Sequence, residues 1–384
     1  MKKVFLIILT LLISLNIGIV QINANADELT DNISDQLENI DLEALEDYYS
    51  ALELSPNDGG IIKVITDMLN GKYTQDYNNF FDFVKDIIFL EVKTYLPILI
   101  SVLAIAIFCG IMQALRSSFN FEGVGDVVFF VCLLAIILLL SKQIIGFYKN
   151  TKNTIENISK LTEILSPIIL SLMIACGGNV SASVYSPTVG FLSGGVINVF
   201  KNVVLPLVGI VLIFSLLSNI TTSVKLNKFT EFFSGVIKWV IGIIVTIFTL
   251  FISLQGIASA TFDGVSIKAA KYTISNSIPI VGGFLRDGFD LVVAGSVLIK
   301  NAVGISVVIA LFYTILVPVF SMLTFSILLK FVSAVSESVS DARISAVFMA
   351  LSKCISYLIA VLLTVAFMLF IVVLLMIFSA NAFI

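Results

Sequence analysis

The groups in this chain whose types and spacing could do chemistry are polar residues set inside apolar runs. Gly190, Gly194, Asn198 and Asn202 recur every four residues, and Lys201 stands beside them. A lysine held in hydrocarbon costs about 2.5–3.5 kcal/mol, so it must face protein or water. Two readings of Lys201 stand: a structural lysine paired with a carboxylate, or a residue lining a pathway or interface. Gly190 and Gly194 also form a GxxxG pair, which lets helix backbones approach closely. A second set follows: Arg286, Asp290, Lys300 and Asn301, with Asp287 among them. On a helix at about 100° per residue, Asp290 falls near +40° from Arg286, Lys300 near −40° and Asn301 near +60°. Arg286 and Asp290 are spaced to pair, whereas Lys300 lies about 21 Å further along the axis and needs another partner or water. Either this is an interfacial helix solvating its charges, or its polar face meets a partner subunit or a hydrated path.

Covalent chemistry has no visible seat. The chain contains no His, which removes Ser-His-Asp and Cys-His constellations and His metal sites. There is no GxxxxGK[ST] loop and no GxGxxG after a strand. Cys109, Cys132, Cys176 and Cys354 lie in or beside apolar runs without CxxC spacing, as small buried hydrophobes do. No catalytic, cofactor-binding or metal-binding residue is expected, and the chain does not read as an enzyme.

The elements that must position these polar groups are membrane helices. Of the 384 residues, 58% are apolar and only 12% charged, and the mean hydropathy is +1.07. A soluble domain carries about 25% charged residues to cover its surface. The expected fold class is an all-α polytopic membrane protein of six to eight transmembrane or re-entrant helices. A bilayer core of about 30 Å needs about 20 apolar residues per helix. Segments 95–115, 127–145, 188–218, 235–257, 302–329 and 354–380 fit that requirement. Two elements, 164–176 and 278–300, read as doubtful spans. The first is short and ends at Gly177-Gly178; the second is broken near Pro279 and Gly282-Gly283. Residues 141–163 read as a connection between spans, unusually basic for the outer side of a membrane.

Three regions follow along the chain: 1–26, 27–94 and 95–384. Residues 1–26 read as a signal peptide, with Lys2 and Lys3, an apolar run from Val4 to Val20, and Ala24-Asn25-Ala26 as the cleavage site. An uncleaved first membrane helix is the alternative. Residues 27–94 carry 16 acidic side chains against four lysines, 4 − 16 = −12. They form an acidic extracytoplasmic region with helical periodicity from Leu29 to Leu52, from Ile61 to Leu69, and from Tyr77 towards the membrane. This head reads either as a solvated cap or as a docking surface for a partner outside the membrane.

One block is recognisable. Gln255-Gly256-Ile257-Ala258-Ser259-Ala260, Asp263-Gly264-Val265 and Lys268-Ala269-Ala270-Lys271-Tyr272 resemble the central motif of the stage III sporulation protein AE family. Pro279-Ile280-Val281-Gly282-Gly283 with Asp287, and Leu298-Ile299-Lys300-Asn301-Ala302-Val303-Gly304-Ile305, continue the resemblance in order. So does the turn Gly177-Gly178-Asn179-Val180-Ser181-Ala182.

The resemblance implies a membrane core subunit of a secretion-like channel complex between mother cell and forespore, required for endospore development. It implies residence in the mother-cell (outer forespore) membrane. Its expected partners are other stage III sporulation membrane proteins, the forespore Q protein and the lipid bilayer; nucleic acid is not among them. The alternative is a secondary transporter for a small metabolite or ion. A weak echo supports it: Phe200-Lys201-Asn202-Val203-Val204 is similar to Ile299-Lys300-Asn301-Ala302-Val303, as inverted repeats would give.

Overall fold

A computed structural model describes residues 40, 42–51, 60–69, 77–119, 122–220, 226–277 and 282–379. Among the described residues every regular element is helical. Helices α1 (Glu43–Ala51) and α2 (Gly60–Leu69) belong to the acidic head. Helices α3 (Tyr77–Phe119) and α4 (Glu122–Ala175) form a long hairpin. A rod then runs from α5 (Asn179–Gly190) through two π-helical stretches, Phe191–Val196 and Phe200–Val204, into α6 (Leu205–Ile220). Helices α7 (Asn227–Ser277), α8 (Gly282–Val339) and α9 (Ala342–Phe378) complete the fold. Among the described residues six stretches are long and apolar enough to cross a membrane: Phe81–Leu115, Val127–Ala175, Asn179–Asn219, Asn227–Gln255, Leu291–Val339 and Ala342–Phe378.

The centre of the molecule is the antiparallel pair α8–α9. Their most apolar stretches are 61% and 67% buried, against 11% for α7, so α8 and α9 are wrapped by protein while α7 is peripheral. Small hydroxyl residues let the two backbones close up. Ser326 and Ser352 lie 2.8 Å apart, and Ser333 and Ser345 3.0 Å apart, oxygen to oxygen. Asp341 turns the chain between them, its carboxylate accepting from the Arg343 backbone N–H at 2.8 Å as the N-cap of α9.

Helix α3 runs parallel to α8, and α4 runs against both. Tyr95, Phe147 and Phe325 meet where the three helices join, with ring centres 4.9–5.8 Å apart. The Tyr95 hydroxyl meets Ser321 at 2.7 Å, which satisfies its polar end inside the core. Gly110 sits where α3 comes nearest to the end of α8. A Cβ there would stand 1.9 Å from the Val339 carbonyl oxygen, so only hydrogen fits.

Two expectations change here. Residues 141–163 are not a connecting loop: α4 is unbroken from Glu122 to Ala175, and residues 164–175 are its last turns rather than a separate re-entrant element. Lys, Gln and Glu are good helix formers, and no residue there removes a backbone donor until Pro167. Hydropathy marks this stretch as polar but says nothing of its backbone. The second doubtful span begins in residues 278–281, which lie outside the described residues together with Pro279. From Gly282 onward it is one helix with the long apolar segment of α8.

Part of the head folds back onto α8. The Tyr49 hydroxyl donates to the Ser306 carbonyl at 2.5 Å, and that of Tyr48 meets the Thr314 hydroxyl at 3.0 Å. Leu45, Tyr49 and Ile65 are buried beneath it. The signal segment and the helical periodicity from Leu29 to residue 39 lie outside the described residues.

Candidate functional site

The polar residues of the first set gather along the rod. Lys201 lies in the second π stretch and pairs with Glu156 of α4 at 2.5 Å. Their side chains are 30% and 38% exposed, so the pair sits at the surface of the bundle rather than sealed within it. Lys201 is thus paired with a carboxylate and partly open to the surface. Asn198 and Asn202 are exposed beside it, and the Asn198 amide donates to the Gly194 carbonyl at 2.6 Å. A π-helical turn is wider than an α turn and is frequent at functional sites. Pro206 follows the second stretch and cannot donate a backbone hydrogen bond to the turn before it. Gly190 and Gly194 behave differently from the expected close packing. Both are exposed, and nothing lies within 4 Å of a Cβ at either. Among the described residues no helix packs on that GxxxG surface.

Lys300 has the opposite environment. It is fully buried, and its Nζ donates to the Ser379 backbone carbonyl at the C-terminal end of α9. The last carbonyls of a helix lack intrahelical partners and carry the negative end of its dipole, so an ammonium suits that position. Lys300 therefore does not lie on an exposed polar face. Asn301, next to it, is half-buried. Arg286, Asp287 and Asp290 lie within the backbone of α8, but their side chains fall outside the described residues.

Gly177 and Gly178 close α4. Gly177 has φ 83°, the left-handed region that glycine tolerates best. The Gly178 N–H bonds the Met173 carbonyl and the Gly177 N–H that of Ile174, both at 2.8 Å, which is a Schellman stop. Cys176 in this turn and Val297 of α8 are buried together. The turn, Lys300 and the end of α9 thus lie at one end of the bundle. All four cysteines are free and buried.

Several residues of this arrangement escaped the sequence reading. Glu156 lies 45 positions before Lys201, and no local spacing announces the pair. Ser379 takes part through its carbonyl, which every residue has. Thr188 of α5 bonds Gln255 of α7. Asp341 gathers Arg343 at 2.9 Å and Gln113 at 3.1 Å at the other end of the bundle. Burial alone would raise the Asp341 carboxyl; hydrogen bonds and charge from Arg343, with the Gln113 amide, outweigh it and hold the carboxyl below its ordinary value. The one weak signal for this cluster is the Ser-Asp-Ala-Arg break between two long apolar runs.

A family model for stage III sporulation protein AE matches residues 61–380. The chain belongs to the stage III sporulation protein AE family. The family match includes both lysine environments, the Gly177-Gly178 turn and all six long apolar stretches, but not the first head helix. A relative, stage III sporulation protein AE of Bacillus subtilis (strain 168), is 27% identical over 294 residues, covering 77% of this chain and 74% of its own length. No solved structure matches this member of the family.

Proposed function

We propose that this chain is a membrane core subunit of a channel complex joining mother cell and forespore, required for endospore development. The observation that carries the reading is family membership across residues 61–380, which takes in the whole helical bundle. An α8–α9 pair wrapped by less buried, membrane-length helices suits an integral subunit of a larger membrane assembly. On this reading the signal segment is removed after Ala26 and the head lies outside the cytoplasm of the mother cell. The partners are other stage III sporulation membrane proteins and the forespore Q protein. Nothing in the reading requires an enzymatic step. The transporter alternative has less support, because the two halves of the sequence echo differ in kind: Lys201 is half-exposed in a π turn, and Lys300 is sealed against a helix end.

Deletion of the gene should leave vegetative growth intact and abolish heat-resistant spores. Purification in mild detergent from sporulating cells should bring stage III partners with the protein. A normal spore count from the deletion strain would remove this assignment.

A further inference from the structure

The ion pair and a ladder of ring contacts set the relative heights of three helices. Lys201 on the rod is level with Glu156 on α4. Above it on the same rod, Phe191 meets Phe251 of α7 at 5.5 Å; below it, Phe214 stacks on Phe233 of α7 at 5.6 Å. Lys201 stands between these rungs, so the stretch of α7 from Trp239 to Ile247 lies at its height. There α7 exposes Trp239, Ile243 and Ile247, side chains that suit hydrocarbon, with one exposed charge, Lys238, at the lower edge of the stretch. At the same depth α4 exposes Lys152, Asn153 and Lys160, with Glu156 half-exposed, and the rod exposes Asn198 and Asn202. The α4 positions recur at steps of three and four, so they form one stripe along the helix. A single depth in the bilayer cannot be hydrocarbon on both sides of this molecule: each charge placed in lipid costs about 2.5–3.5 kcal/mol, and the stripe carries several.

We propose that the polar flank made by Lys152, Asn153, Glu156 and Lys160 of α4, with Asn198, Lys201 and Asn202 of the rod, borders a water-filled passage at bilayer depth, while α7 faces lipid. The Lys201–Glu156 pair holds the two helices of that flank in register, and the widened π turns carry the asparagines beside it. Lipid chains cannot solvate such a stripe, whereas water satisfies both the ammonium groups and the amides. The part this passage plays in moving solutes rests on the channel reading above; its contact with water does not.

Single-cysteine variants of the full chain in native membranes test the assignment. The four native cysteines are buried, so background labelling by a charged, membrane-impermeant methanethiosulfonate reagent is low. The positions Lys152→Cys, Asn153→Cys and Asn202→Cys are compared with Ile243→Cys and Ile247→Cys, all five being exposed sites whose substitution leaves the packing alone. The flank thiols should react at least about tenfold faster, since only a hydrated thiol ionises to the attacking thiolate. Equal, slow labelling of both sets would overturn the proposal by showing the flank covered. Equal, fast labelling would overturn it by showing that α7 is not in lipid. The labelling pattern does not depend on spore yield, so a failure of the channel reading would be seen separately, in the deletion strain.

Discussion

Lys300 of α8 donates its ammonium hydrogen to the backbone carbonyl of Ser379, 79 residues later, and so fastens the end of α9 to the helix beside it. The lysine is wholly buried, and burying an ammonium is costly unless its partners are well placed. The partner here is a helix C-terminus, whose carbonyls lack donors of their own. Lys300→Met keeps most of the volume and loses the tether, at about 1–3 kcal/mol. Lys300→Ala loses volume as well and should cost about 2–4 kcal/mol. The midpoint of thermal unfolding in detergent should fall in the order wild type, Met, Ala, and spore yield should follow the level of folded protein. Unchanged midpoints for both variants would show that the tether carries no stability.

Gly110 and the two exposed glycines make a contrast within one bundle. Gly110→Leu drives a side chain into the Val339 carbonyl, so α3 and α8 must separate. Overpacking of this kind costs about 1–3 kcal/mol or more. In Gly190→Ala and Gly194→Ala the added Cβ meets no described atom within 4 Å, and each should leave stability within about 0.5 kcal/mol of wild type apart from the helix preference of Ala. Loss of folded monomer in either of the latter would mean that the open GxxxG surface is packed within one chain after all.

Asp341 should make stability depend on pH on the acid side. Its folded carboxyl is held below the ordinary value, so its contribution is fully present above about pH 3.9 and is lost as pH falls through the lower folded value. Asp341→Asn removes that dependence, lowers stability at neutral pH through loss of the Arg343 pair, and flattens the acid limb of the midpoint-against-pH curve. Parallel acid limbs for wild type and variant would refute the linkage.

Much of the polytopic helical fold was legible from apolar run length, because a span must satisfy its backbone internally and only about 20 apolar residues reach across. The stop at Gly177-Gly178 was legible too, since a left-handed residue at a helix end favours glycine. The continuity of α4 through residues 141–163 was not. Hydropathy registers where side chains prefer to lie, while backbone continuity here comes from helix-forming residues without a breaker.

Lys201 and Lys300 mark the boundary between what the chain alone determined and what the tertiary structure decided. Their sequence settings are nearly the same, an apolar residue, lysine, asparagine and two more apolar residues. From that setting alone it follows that each lysine must find protein or water, because an ammonium in hydrocarbon is too costly. Which of the two it finds depends on what the fold sets opposite it. Antiparallel packing of α4 on the rod puts Glu156 against Lys201 at a half-open surface, and the α8–α9 hairpin closes a helix end over Lys300. Those partners lie 45 and 79 positions away, and pairing over such separations is decided by helix register, which no local spacing encodes.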